Sequence, residues 1–237
     1  MSETVKKGLY SWIVTILIVL AIKATFIEAC VIPTPSMEKT LLTGDAVLVN
    51  RFIYGVKIPI PFTNLQIPLI PGRDPHRSDI VMFVSPLENI NLVKRCVAIE
   101  GDTVEVIDKV LFVNGQKTDD TYTYHADRRV YEKVGWDKEN HQKIWEEAGL
   151  GDMFGLRVRD NFGPVVVPED CIFVMGDNRD NSSDSRFWGP LHKKHLKGMP
   201  LVVFFSFDPG GPKTNVIDLL KIWEWKAIRI MRIGKPT

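Results

Sequence analysis

Residues 92–113 read LVKRCVAI, EGD, TVEVI, DK, VLFV: three runs rich in Val, Ile, Leu and Phe, cut by two short polar breaks. Runs of four to eight such residues bounded by Gly, Asp and Lys are too short for helices and suit strands. The same pattern recurs outward from this centre, at Ala46–Arg51, Ile80–Phe83, Val165–Val167, Cys171–Met175 and Leu201–Ser206. A mostly β fold follows, built on an antiparallel sheet. The fifteen prolines, many between Pro59 and Pro86, predict irregular connections there rather than helices.

Two stretches break the β pattern. Residues 118–164 carry more charge and weaker alternation, with helical composition from Trp136 to Leu150, and read as an inserted lobe. Leu9–Ile22 is free of charge and continues past Lys23 to Ile27, about 19 residues, which at ~1.5 Å each approach a ~30 Å hydrocarbon layer. This run is longer than the apolar part of a cleavable leader, and no small-residue cleavage site follows it. The reading is an uncleaved transmembrane anchor over 9–29. Lys6 and Lys7 keep residues 1–8 in the cytoplasm and send the rest across the membrane. A first β part then covers 30–117, the inserted lobe 118–164 and a second β part 165–210. Residues 211–237 form a basic amphipathic C-terminal segment. It either lies on the bilayer or closes the core with its basic residues in water.

Bulk properties exclude several classes. A net charge of +1 over 237 residues offers no basic stripe for nucleic acid. Three cysteines, Cys30, Cys96 and Cys171, exclude a disulfide framework and allow at most one bridge; Cys96 and Cys171 read as buried strand residues, with a pairing between them as the alternative. His192 and His195 lack the Glu and third ligand of a zinc helix, and Asp177–Asn181 lacks the Gly and Glu of a calcium loop. No metal and no cofactor is expected.

Three segments carry candidate chemistry. Ser36, in Ile32-Pro33-Thr34-Pro35-Ser36-Met37, follows the apolar run at once. Lys94 alternates with Arg95 along its strand and shares a face with Leu92 and Cys96. Apolar company lowers the pKa of an amine, which a lysine needs to accept protons near neutral pH. The polar loop Met175–Arg186 follows an apolar strand and can present fixed side chains to a site.

In this order, P-T-P-S-M (34–37 with Pro33), L-V-K-R-C-V-A-I-E-G-D (92–102) and G-D-N-R-D-N-S-S-D-S-R-F-W-G-P (176–190) resemble the bacterial and organellar type I signal peptidases. The resemblance implies a membrane serine protease that removes signal peptides from exported preproteins after small residues at −1 and −3. It implies Ser36 as nucleophile and Lys94 as general base, an oxyanion hole from the Ser36 N–H and the Thr34 hydroxyl, and Ser182 orienting the lysine. Asp184 and Arg186 would brace the site, and Ile32, Met37, Leu41 and Val93 would line the substrate pocket. Preprotein signal peptides, the lipid bilayer and the export machinery are the implied partners, with the catalytic domain on the outer face of the plasma membrane. Two positions depart from the family pattern: Pro35, where Gly or Ser is usual, and Lys39, where a Pro often stands.

Overall fold

Strand β6 (Asn91–Ile99) lies between β5 (Ile80–Val84) and β11 (Cys171–Met175), antiparallel to both. The chain is seen here as a computed structural model that describes residues 8–15, 27–59, 66–88, 90–133, 135, 138–210 and 225–237. Around β6 the main sheet runs β1 (Ile27–Val31), β2 (Asp45–Asn50), β13 (Leu196–Asp208), β5, β6, β11, β12 (Leu191–His192), with β14 (Ala227–Ile228) on β13. A second sheet is ordered β10 (Phe162–Val166), β7 (Thr103–Ile107), β8 (Val110–Val113), β9 (Gln116–Lys117). A separate hairpin pairs β3 (Val56–Pro59) with β4 (Gln66–Ile70). The fold is mostly antiparallel β, and every strand expected from composition is present.

Each face of the main sheet buries an apolar layer because successive side chains alternate. Ile80, Met82 and Val93 pack with Val47, Val49 and Val203 on one side. Val81, Phe83, Cys96, Ile172 and Val174 pack on the other. A third cluster joins the two sheets through Val104, Val106, Phe162, Phe173 and Met175. Trp145, on the helix Lys138–Ala148, stacks on Phe173 at 5.6 Å and donates its indole N–H to the Ser185 carbonyl at 2.7 Å. Residues 118–164 therefore share the central core instead of standing apart from it.

Three local expectations are corrected. The proline-rich stretch holds the β3–β4 hairpin, since a two-stranded ribbon has an outward edge on each strand where a missing N–H breaks no ladder. Strand β13 starts at Leu196, five residues before the apolar run, and absorbs Pro200 at a register shift against β2. Ile27–Ala29, the end of the expected anchor, belong to β1 and pair with Leu48–Asn50. Residues 8–15 are helical, and 16–26, the middle of that anchor, lie outside the described residues. Among the described residues no helix is long and apolar enough to cross a membrane.

The described part of the tail, 225–237, packs onto the core. Gly234 N–H bonds the Val203 carbonyl at 2.8 Å and the Arg232 guanidinium grips the fully buried Asp45, so this basic residue is not in water. Residues 211–224 lie outside the described residues. The three cysteines are free thiols, Cys96 and Cys171 both buried.

Candidate active site

Ser36 sits in a single 3-10 turn, Pro35–Met37, that opens on a proline. Pro35 suits that place, because its φ is preset and a first-turn N–H has no partner in the turn. The turn closes through Glu38 N–H to the Pro35 carbonyl at 3.0 Å, which leaves the Ser36 N–H outside that bond. Lys39 follows with φ of 80°, a conformation closed to proline. The Lys39 ammonium then reaches the Thr123 carbonyl at 3.3 Å.

Lys94 comes from the middle of β6, opposite Val81 of β5. It is 3% exposed, and its Nζ donates to Ser36 Oγ at 2.7 Å. Burial away from water lowers its pKa to about 8, and the nearby Arg186 charge acts in the same sense against the opposing pull of Asp184 and Asp177. Thr34 Oγ1 lies 3.3 Å from Ser36 Oγ on the other side. Serine, lysine and threonine are thus brought into one contact chain.

The polar loop after β11 holds this chain from behind. The register that sets Met175 opposite Arg95 carries Gly176 level with Lys94. A Cβ at 176 would meet Ser182 Oγ at 2.4 Å and the Ser36 carbonyl at 2.5 Å, so glycine here lets the loop touch the nucleophile's turn. Asn178 N–H bonds that same Ser36 carbonyl at 3.0 Å, and its side-chain amide bonds Glu38 at 3.1 Å. Ser182 is buried against Gly176, and its hydroxyl makes no hydrogen bond to Lys94 but lies close enough to Asp184 to help hold that carboxyl below its ordinary value.

Two buried guanidinium–carboxylate pairs fix the loop. Arg186 grips Asp184 with two bonds of 2.8 Å and donates onward to the carbonyls of Arg159 and Arg179. Burial opposes the Asp184 charge, but the Arg186 guanidinium outweighs it and holds the carboxyl below its ordinary value. Arg95 grips Asp177 at 2.8 and 2.7 Å, bonds the Ser78 carbonyl and stacks its guanidinium over Tyr122 at 3.8 Å. Thr40 Oγ1 donates to the same Asp177 at 2.5 Å.

The sequence assigned no role at the site to Arg95, Asp177, Thr40 or Asn178. A signal was available for one of them: LVKRCVAI is apolar on both faces, so a strand buried on both sides would enclose Arg95 as well as Lys94. Residues 118–164 add further clamps. Tyr124 bridges Asn178, Asp120 pairs with Arg179 at 3.0 Å, and Asp127 N–H bonds Asp180 at 2.7 Å. Both carboxylates of the supposed calcium-like loop are so taken up by cations, Asp177 by Arg95 and Asp180 by Lys109 at 2.8 Å.

A cleft of about 340 Å³ opens beside Ser36 and Lys94, walled by Thr34, Leu92, Ile90, Asn181, Ser183 and Trp188 among others. Ile32, Met37, Leu41 and Val93 do come together, but in a closed core cluster next to the nucleophile's turn, and none of the four lines this cleft.

The family described as signal peptidase, peptidase S26, matches residues 5–205. The signal peptidase I of Pseudomonas aeruginosa is 36% identical over 80% of this chain, which spans 65% of that protein's length. The signal peptidase I of Helicobacter pylori strain 26695 is 31% identical, covering 84% of this chain and 81% of the relative. That of Aquifex aeolicus is 30% identical and is covered over 98% of both chains.

Proposed function

The chain belongs to the signal peptidase family, peptidase S26, and from that membership we propose that it is a serine endopeptidase removing signal peptides from exported preproteins with a Ser36–Lys94 dyad. One observation carries the reading: a buried lysine amine, its pKa lowered to about 8, donates at 2.7 Å to a serine hydroxyl at the edge of an open cleft. In its neutral form Lys94 accepts the Ser36 proton while Oγ attacks the scissile carbonyl carbon. The oxyanion that forms is met by the Thr34 hydroxyl and the Ser36 N–H. Collapse breaks the C–N bond, and the Lys94 ammonium hands its proton to the departing amine. Water, deprotonated by the same lysine, then releases the acyl group.

Ser182 is proposed to orient the lysine from its buried place beside Gly176. Asp184 and Arg186 hold the loop that carries it. Ile32, Met37, Leu41 and Val93 pack beneath the nucleophile's turn and support it, while the cleft beside Ser36 and Lys94 takes the preprotein segment.

The finer topology is also part of this proposal. The apolar run from Leu9 onward anchors the chain in the plasma membrane with the catalytic domain outside. Ile228, Ile230 and Met231 are exposed at 54%, 72% and 87%, apolar side chains of the tail suited to touch the bilayer. Enzyme and signal peptide then meet in one membrane, which raises their effective concentration. The test is preprotein cleavage in detergent by the wild type, Ser36→Ala and Lys94→Ala. Loss of turnover by a factor of ~10³ or more in both variants is expected, and near wild-type turnover in either one refutes the dyad.

A further inference from the structure

The tail from Trp225 onward lies beyond residues 5–205, which the family model matches, and returns to the loop that carries the nucleophile. Arg232 Nη2 donates to the Thr40 carbonyl at 2.8 Å, and its Nε donates to Asp45 Oδ1 at 2.9 Å. Asp45 is fully buried and also accepts from Ser206 Oγ at 2.6 Å and from Leu42 N–H at 2.8 Å. Arg229 adds a bond to the Thr43 carbonyl at 2.9 Å. Residues 40–45 are thereby tied to the tail and to β13.

Thr40 is the joint of this arrangement. Its carbonyl is held by Arg232, its hydroxyl by Asp177 and its N–H by the Met37 carbonyl at 3.1 Å. One residue upstream, Lys39 stands at φ of 80°, which a side chain with a Cβ adopts only when its surroundings impose it. Three residues further back is Ser36. With Arg232 gone, the Lys39 backbone is free to relax, and the Ser36 turn would move against a Lys94 that β6 holds in place.

We propose that Arg232 is a positioning residue for the reaction, fixing the Ser36 turn through the Thr40 carbonyl. This rests on the protease reading above. Two variants separate positioning from folding. Arg232→Lys keeps a cation against Asp45, but one ammonium on a single stem cannot serve the carboxylate in two-pronged fashion and the Thr40 carbonyl together. The double variant Asp45→Asn with Arg232→Gln removes both charges at once and leaves no buried carboxylate unpaired.

The experiment measures preprotein cleavage by the full chain in detergent, with competent sites counted by a serine-acylating probe and Tm recorded alongside. Expected for both variants is a fold close to wild type and kcat per competent site down at least tenfold, with KM within twofold. The acid limb of the pH profile stays in place, because the charges acting on Lys94 are Asp184, Arg186 and Asp177. Glu147→Gln, at an exposed side chain on the helix Lys138–Ala148, leaves every value unchanged. A fall of less than tenfold per competent site in either folded variant overturns the proposal, as does a loss explained entirely by fewer competent sites. A wild type that cleaves no preprotein removes the protease reading itself; a cleaving wild type with unaffected variants removes this inference alone.

Discussion

On one face of β6 the Arg95 guanidinium has a carboxylate, a carbonyl, a hydroxyl and an aromatic ring arranged around it. On the opposite face, one residue earlier, the Lys94 ammonium has a serine hydroxyl. Both side chains are buried, at 7% and 3% exposure. A buried cation keeps its charge when counter-charge and acceptors replace water; without them the neutral form gains. The strand thus holds, side by side, a guanidinium that stays charged by its own chemistry and an amine whose neutral form burial favours.

The most severe way to break that contrast is Lys94→Arg, which places a permanently charged group where a neutral base is needed. A guanidinium does not release its proton in the working range, so activity is expected to fall by a factor of ~10³ or more. Single-turnover cleavage at several pH values checks this, and no recovery at alkaline pH is expected.

The partner experiment strips Arg95 of its company. Asp177→Ala leaves a buried guanidinium without its carboxylate and also releases Thr40, with an expected loss of about 3–5 kcal/mol in stability. Urea unfolding of the full chain in detergent measures it.

The smallest effect has the opposite sign. The folded pKa of Lys94, about 8, lies below its ordinary value of 10.5, so between these values the unfolded chain binds more protons and stability rises with pH. The burial penalty is therefore fully present below pH 8 and gone above 10.5. Lys94→Met removes it, with an expected gain on the order of 2 kcal/mol at neutral pH that fades across that window, in a protein that no longer cleaves. Thermal unfolding of the variant and the wild type at pH 7 and pH 10 reads the difference.

The same contrast marks how far the sequence could be read. The strands around β6 were legible because short apolar runs with turn formers between them have few other solutions. The family motifs assigned Ser36, Lys94, Ser182, Asp184 and Arg186, and the structure brings all five into one neighbourhood. The Arg95–Asp177 clamp was hidden by local reasoning, since its partners lie 82 residues apart and neither looks unusual in its own segment. The contribution of residues 118–164 was hidden for a similar reason. Asp120, Tyr124 and Asp127 serve the site through pairings whose alignment only the fold supplies. The pocket residues were legible as apolar, but not as members of a closed core. The β3–β4 hairpin and the first half of β13 were obscured by prolines that are tolerated at a ribbon edge and at a register shift.

The most direct test of the account is the pH dependence of kcat/KM for preprotein cleavage by the wild type. A buried lysine acting as the base predicts an acid limb that falls tenfold per pH unit below an apparent pKa near 8. A rate that stays flat from pH 6 to pH 9, or a limb at the ordinary lysine value of 10.5, would contradict it.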